Sequence, residues 1–202
     1  MSKFLWNIQA GFYKALRRNP ISARILTAEN EAASSLLDRI SPVRINRILD
    51  IGSGRGNSLG LLQSFQAKII GLDLTRSMIT KARSEYSNVL FLQGDIVHLP
   101  VKDNCMDVVI CLGVMEYVKY QKIPLLETCR VLRPGGYALI SLPIKHRLNY
   151  FRRLLGHRIF IPDHDAIITV FQEMNLELLA QQTTLLQNQL LFRKPVVSKT
   201  HK

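Results

Sequence analysis

The ten residues Ile48-Leu49-Asp50-Ile51-Gly52-Ser53-Gly54-Arg55-Gly56-Asn57 constrain this chain more than any other stretch. An apolar, β-branched run ends in an acid and then in three alternating glycines, and Leu59, Leu61 and Leu62 open a helical pattern behind them. That order describes a buried strand, a turn too tight for side chains, and the start of a helix. In doubly wound α/β folds such a turn lets backbone approach a ligand at the carboxyl ends of the strands.

The rest of the chain continues the alternation. Helical patterns cover Lys3–Arg17 and Ala23–Asp38, with Ser41-Pro42 as a breaker. Strand patterns follow at Arg47–Ile51, Lys68–Asp73, Val89–Gln93, Met106–Leu112 and Tyr137–Leu142, with helical stretches at Ser58–Phe65, Ser77–Tyr86 and Ile123–Leu132 between them. This rhythm predicts an α/β fold, a doubly wound, seven-stranded and mostly parallel sheet with helices on both faces. Arg133-Pro134-Gly135-Gly136 reads as a helix stop turning into the next strand. Beyond Asp163, a helix to about Met174 leads into strands Glu177–Thr183 and Gln187–Phe192, which would close the sheet as an antiparallel C-terminal hairpin.

With 202 residues and 47% hydrophobic composition, the chain can bury one substantial core. We read a single domain over 1–202, with an N-terminal helical cap (1–42), a ligand-binding core (43–143), a basic insertion (144–162) and a C-terminal helix and hairpin (163–193). The 27 Lys+Arg against 15 Asp+Glu give a formal charge of +12. That balance favours nucleic acid, an anionic membrane surface or an acidic substrate. Three cysteines without a CxxC pair argue against a disulfide framework or a zinc site, and no metal is expected. A reducing, cytoplasmic setting is the expectation, with peripheral contact at an anionic membrane left open. The first 28 residues carry five basic residues and no acid, and Phe4, Ile8, Phe12 and Leu16 fall on one helical face. A transit peptide can look like this; so can a mature amphipathic helix.

Asp50, Asp73 and Asp95 are the residues to read together. Each closes an apolar strand, so three adjacent strands present a carboxylate at the same edge of the sheet. The GxGxxG position that seats a dinucleotide pyrophosphate is Asn57, and a Gly-Lys-Ser/Thr phosphate loop is absent. The arrangement suits a nucleoside without phosphates that carries positive charge.

On these residues the sequence resembles the class I S-adenosylmethionine-dependent methyltransferases, in the broad small-molecule group that includes the ubiquinone/menaquinone methyltransferases. Asp50-Ile51-Gly52-Ser53-Gly54-Arg55-Gly56 matches that family's first motif, Gly71-Leu72-Asp73 the second and Gln93-Gly94-Asp95 the third. Asp107-Val108-Val109-Ile110-Cys111 matches its fourth strand and Leu132-Arg133-Pro134-Gly135-Gly136 its post-motif turn. The resemblance implies S-adenosyl-L-methionine as cofactor. Gly52 and Gly54 would line its methionine moiety, with Ser53 and Gly56 in the same turn and Asp50 near its amino group. Asp73 would bind the ribose hydroxyls, Leu74 would face the adenine, Asp95 would accept from the adenine amino group, and Ile96 would add a backbone contact. Leu112 and Gly113 would border the transferable methyl.

The implied reaction is methyl transfer by direct in-line displacement to a small-molecule or lipid-like acceptor. An RNA or protein acceptor, served by the basic surface, is the alternative, as is a cofactor-binding partner protein without turnover. No catalytic side chain stands out; Tyr117 and Tyr13 are candidates for the acceptor pocket. Where related enzymes often place a His after the fourth strand, this chain has Glu116-Tyr117. Ile144 to Pro162 carries five basic residues and no acid among apolar ones, and it rests on an anionic bilayer, admits a lipid-like acceptor or forms a solvated basic face. The tail from Arg193 to Lys202 is expected to fray. The sequence sets no oligomeric state.

Overall fold

The computed structural model describes residues 20–41, 45–154 and 159–196, without the side chains at 21, 151, 153 and 154. The N-terminal pattern at Lys3–Arg17, Tyr13, Pro42 of the breaker, Arg158 and the last six residues lie outside this set.

Seven strands form one sheet: β1 (Arg47–Ile51), β2 (Lys68–Asp73), β3 (Leu90–Gln93), β4 (Met106–Cys111), β5 (Leu132–Pro143), β6 (Glu177–Thr183) and β7 (Gln187–Arg193). Their order is β3-β2-β1-β4-β5-β7-β6. The first five run parallel, and β7 is antiparallel to both β5 and β6. The expected α/β class, sheet and C-terminal hairpin are all present.

The central strand explains why the sheet is buried on both sides. Every residue of β4 is buried, the pattern of a parallel strand covered by helices on each face. Its side chains alternate between two cores: Val109 and Cys111 face one, Val108 and Ile110 the other. Helices α1 (Pro20–Leu37) and α2 (Arg76–Glu85) supply the second core, with Leu36 and Ile79 among its members. α3 (Lys122–Val131) and α5 (His164–Glu173) supply the first, through Leu125, Ile167 and Phe171. α4 (Arg147–Leu154) lies in the basic insertion.

α5 illustrates how local chemistry fixes an element. Asp163 caps it by accepting from the backbone N–H of Asp165 and Ala166, satisfying donors that have no partner inside a helix. Ile167 and Phe171, one turn apart, bury against the sheet, and the Phe171 ring lies 4.3 Å from that of Phe192. Asn175, at φ 58°, ends the helix in the left-handed region. Truncating Phe171 to Ala would cost about 3–5 kcal/mol.

Three expectations need correction. Ser58–Phe65 does not form an α-helix; only a 3₁₀ turn spans Leu59–Leu62. Gly60 sits inside it, and Leu59 and Leu62, three residues apart, are the ones buried, which is the 3₁₀ period. The Arg133–Gly136 turn is drawn into β5 as a bulge. Register passes from Met106↔Leu132 to Val108↔Tyr137, so β5 spends three more residues than β4. Arg133 thereby reaches the carboxylate of Asp107, which also accepts from the N–H of Asn46 and Arg47. The tail does not fray at its start either. Arg193 ends β7, and the Lys194 ammonium donates to Asn104 and to the carbonyls of Cys129 and Leu132.

Candidate active site at the carboxyl edge of the sheet

β1 and β4 are neighbours although two strands and their connections separate them in the chain, and their onward crossovers run to opposite sides. Ligands of open α/β sheets bind in the crevice outside the carboxyl ends at this switch point. The glycine turn leaves β1 there. Its backbone is stitched to β2: the N–H groups of Gly52 and Ser53 both donate to the Leu72 carbonyl, at 2.7 and 3.0 Å, and Gly54 N–H donates to Asp73 Oδ2 at 3.0 Å.

All three glycines of the turn have positive φ, but for different reasons. A Cβ on Gly52 would stand 2.2 Å from a methyl of Val114, and one on Gly56 would strike the Tyr86 ring at 2.6 Å. Those two are needed for packing. A Cβ on Gly54 would meet nothing nearer than 3.9 Å. Gly54 therefore presents open backbone to the crevice.

The acids differ as well. Asp50 is buried and accepts from the Ser58 hydroxyl. Burial raises its carboxyl to about 7, with the charge of Asp73 adding to the rise and the Ser58 hydrogen bond opposing it. Asp73 is also buried, and its Oδ1 accepts from Thr75 N–H and the Thr75 hydroxyl, both at 2.8 Å. With Gly54 on Oδ2, three donors are engaged, leaving acceptor capacity on Oδ2 alone. Asp95 is exposed beyond β3, where its carboxylate accepts from Val97 N–H at 3.2 Å. Ile96 packs half-buried against the core, and Leu74 lines an open depression with Thr75, Arg76, Thr80, Lys81 and Gln93.

On the β4 side, Leu112 and Gly113 follow the strand, and Gly113 N–H donates to the Ser141 hydroxyl at 2.7 Å. The 3₁₀ turn Met115–Tyr117 comes next, with all three residues buried. Arg152 of α4 crosses to it. One guanidinium nitrogen donates to Glu116 at 2.6 Å and to the Tyr117 hydroxyl at 3.2 Å, and another donates to Asn149 Oδ1 at 2.9 Å. Phe160 N–H donates to the Glu116 carbonyl. The insertion is thus fastened over the loop that follows β4. The Glu116–Arg152 pair is the part of this site that the sequence reading missed. The one available signal was an acid after β4 with only basic residues across from it.

The site residues fit a cationic nucleoside on structural grounds. Ser53 Oγ is buried without a hydrogen-bond partner in the turn, open backbone faces the crevice at Gly54, and Asp50 holds a buried carboxyl at the end of β1. A nearby cation would hold that carboxyl ionised.

Residues 49–140 match the model of the family described as "Methyltransferase domain". The chain is 39% identical over 102 residues to the arsenite methyltransferase of Halobacterium salinarum, covering 46% of this chain and 26% of that protein. It is 31% identical over 131 residues to the trans-aconitate 2-methyltransferase of Methylobacterium nodulans, covering 61% of this chain and 50% of that one. It spans a quarter to half the length of these two curated relatives. Among solved structures, magnesium protoporphyrin IX methyltransferase of Synechocystis, with S-adenosylhomocysteine bound, superposes with a TM-score of 0.70 at 18% identity, covering 87% of this chain and 88% of that one. That likeness is one of fold.

Proposed function

The chain carries a class I S-adenosylmethionine-dependent methyltransferase domain, and on that premise we propose that it transfers a methyl group to a small-molecule or lipid-like acceptor by direct in-line displacement. The observation that carries this reading is the glycine turn at the β1/β4 switch point, flanked by the buried acids Asp50 and Asp73. When bound, S-adenosylmethionine supplies a methyl group on a positively charged sulfur, already an activated leaving group.

In this reading Gly52, Ser53, Gly54 and Gly56 form the floor under the methionine moiety, and Asp50 holds its ammonium group. Asp73 takes a ribose hydroxyl on the free side of Oδ2 and keeps the turn closed against β2. Leu74 and Ile96 flank the adenine, and Asp95 accepts from its amino group. Leu112 and Gly113 border the reacting centre. Positioning is then the main demand on the protein, with the acceptor atom held in line behind the methyl carbon.

Tyr117 serves as an anchor of the insertion in this scheme, because its hydroxyl oxygen already accepts from Arg152. The same contact, with Glu116 beside it, removes Arg152 from the free basic face that the sequence suggested. Support for a small acceptor comes from relatives named for trans-aconitate and for malonyl-[acyl-carrier protein].

Incubating the full chain with methyl-labelled cofactor and a cell extract tests the proposal. Label should enter the small-molecule or lipid fraction. Label confined to RNA or protein would overturn the acceptor class, and no transfer to any fraction would overturn the activity.

A further inference from the structure

Among the described side chains of α4, the polar Asn149 and Arg152 turn inward and the apolar Leu148 and Tyr150 outward. A surface helix normally turns its apolar stripe to the core and its polar residues to water. Here Asn149 is fully buried and Arg152 largely so. Asn149 Nδ2 donates to the carbonyls of Ile144 and Leu186, at 3.0 Å each, and Arg152 is spent on Glu116 and Tyr117. Leu148 and Tyr150, by contrast, are 39% and 48% exposed. Asn149 and Arg152 thus satisfy backbone and a buried acid, while Leu148 and Tyr150 face out.

The neighbouring loops repeat this character. The link to Leu186 seats α4 beside the β6–β7 turn, where Leu185 is exposed, and the loop after β4 carries exposed Tyr120, with Ile123 exposed at the start of α3. All belong to the carboxyl edge of the sheet, around the candidate site. Lys119, Lys122, Lys145 and Arg147 are exposed among them. In the stretches 116–123 and 144–154 the single acid is Glu116, which is buried and paired.

We propose that this rim docks on an anionic lipid bilayer, with Leu148 and Tyr150 entering the headgroup boundary and Lys145 and Arg147 meeting lipid phosphates. Charge complementarity selects this occupant. A second copy would bring another basic rim, and the segment 1–19 carries Lys3, Lys14, Arg17 and Arg18 with no acid. A nucleic acid would satisfy the cations but gain little from exposed leucine and isoleucine, whereas a bilayer interface uses both. Docking is independent of methyl transfer. It would place the crevice against the lipid phase, and the Arg152–Glu116 pair would tie the docked helix to the loop after β4.

Flotation of the full chain with vesicles tests this. Wild type should bind phosphatidylcholine vesicles doped with phosphatidylglycerol and leave pure phosphatidylcholine vesicles largely free. Leu148→Ser/Tyr150→Ser, which changes no charge, should weaken binding by at least about tenfold. Lys145→Gln/Arg147→Gln should weaken it roughly fivefold per charge removed. Leu90→Ser, at the opposite edge of the sheet, should bind as wild type. Circular dichroism melting of each variant establishes that it is folded. Absence of binding to anionic vesicles, equal binding to neutral ones, or wild-type binding by the folded Leu148→Ser/Tyr150→Ser variant would each overturn the proposal.

Discussion

The carboxylate of Glu116 and the guanidinium of Arg152 meet at 2.6 Å, 36 positions apart in the chain, with Glu116 only 3% exposed. Removing one member of such a buried pair leaves the other charge without compensation. Arg152→Met is therefore expected to destabilise the fold by about 3 kcal/mol. The double variant Glu116→Gln/Arg152→Met should recover most of that loss. Urea unfolding of wild type, Arg152→Met, Glu116→Gln and the double variant measures the coupling, and additive losses would show that the pair contributes little.

Asp50 should make ligand binding proton-linked. Its carboxyl rises from 3.8 to about 7, through burial first and against the Ser58 hydrogen bond, with Asp73 adding to the rise. The folded value exceeds the unfolded one, so this group's contribution to the stability of the free domain is full below about pH 4 and lost as pH climbs through 7. Asp50→Asn should remove that decline, worth roughly 2–4 kcal/mol. An ammonium placed beside Asp50 should expel a proton, so cofactor affinity should fall below pH 7. Calorimetry in buffers of different ionisation enthalpy would detect the release, and identical heats would contradict it.

The glycines should separate packing from binding. Gly54→Ala meets no neighbour within 3.9 Å and incurs only the left-handed backbone cost, about 1–2 kcal/mol. It should fold and yet lose cofactor affinity, because the added methyl stands in the crevice. Gly52→Ala collides with Val114 and should destabilise more severely, with partial rescue by Val114→Ala. Paired thermal melts and binding titrations of the three variants distinguish these outcomes.

Asp73 should not be removable without structural cost. It holds Gly54 N–H, Thr75 N–H and the Thr75 hydroxyl, so Asp73→Ala should lower stability by about 2–3 kcal/mol. Asp73→Asn keeps an acceptor oxygen and should fold better. It should still bind cofactor about tenfold to a hundredfold more weakly. Unchanged affinity in a folded Asp73→Asn protein would remove the ribose assignment.

Strands were the most legible feature. The reading matches β1, β2 and β6 at both ends; for β1 and β2, apolar runs leading into an acid leave little freedom in where they stop. The helix expected at Ser58–Phe65 failed because apolar spacing was weighed above Gly60, which weakens a short helix. The stretch Arg133–Gly136, read as a helix stop and turn, lies inside β5 as a bulge. Its absorption into β5 depends on Asp107, 26 positions away, drawing Arg133 to the sheet. The site showed the same division. Glycines and strand-end acids lie close together in sequence and could be read as a group. The partner of Arg152 is chosen by tertiary packing, so a basic run could not reveal that one of its members turns inward.

Titrating the full chain calorimetrically with S-adenosylhomocysteine is the most direct test of the pocket. Saturable binding at one site per chain is expected, weakened in Gly54→Ala and Asp73→Asn while both stay folded. A folded wild-type protein that takes up neither this compound nor S-adenosylmethionine would contradict the assignment of the crevice and the methyl-transfer chemistry built on it.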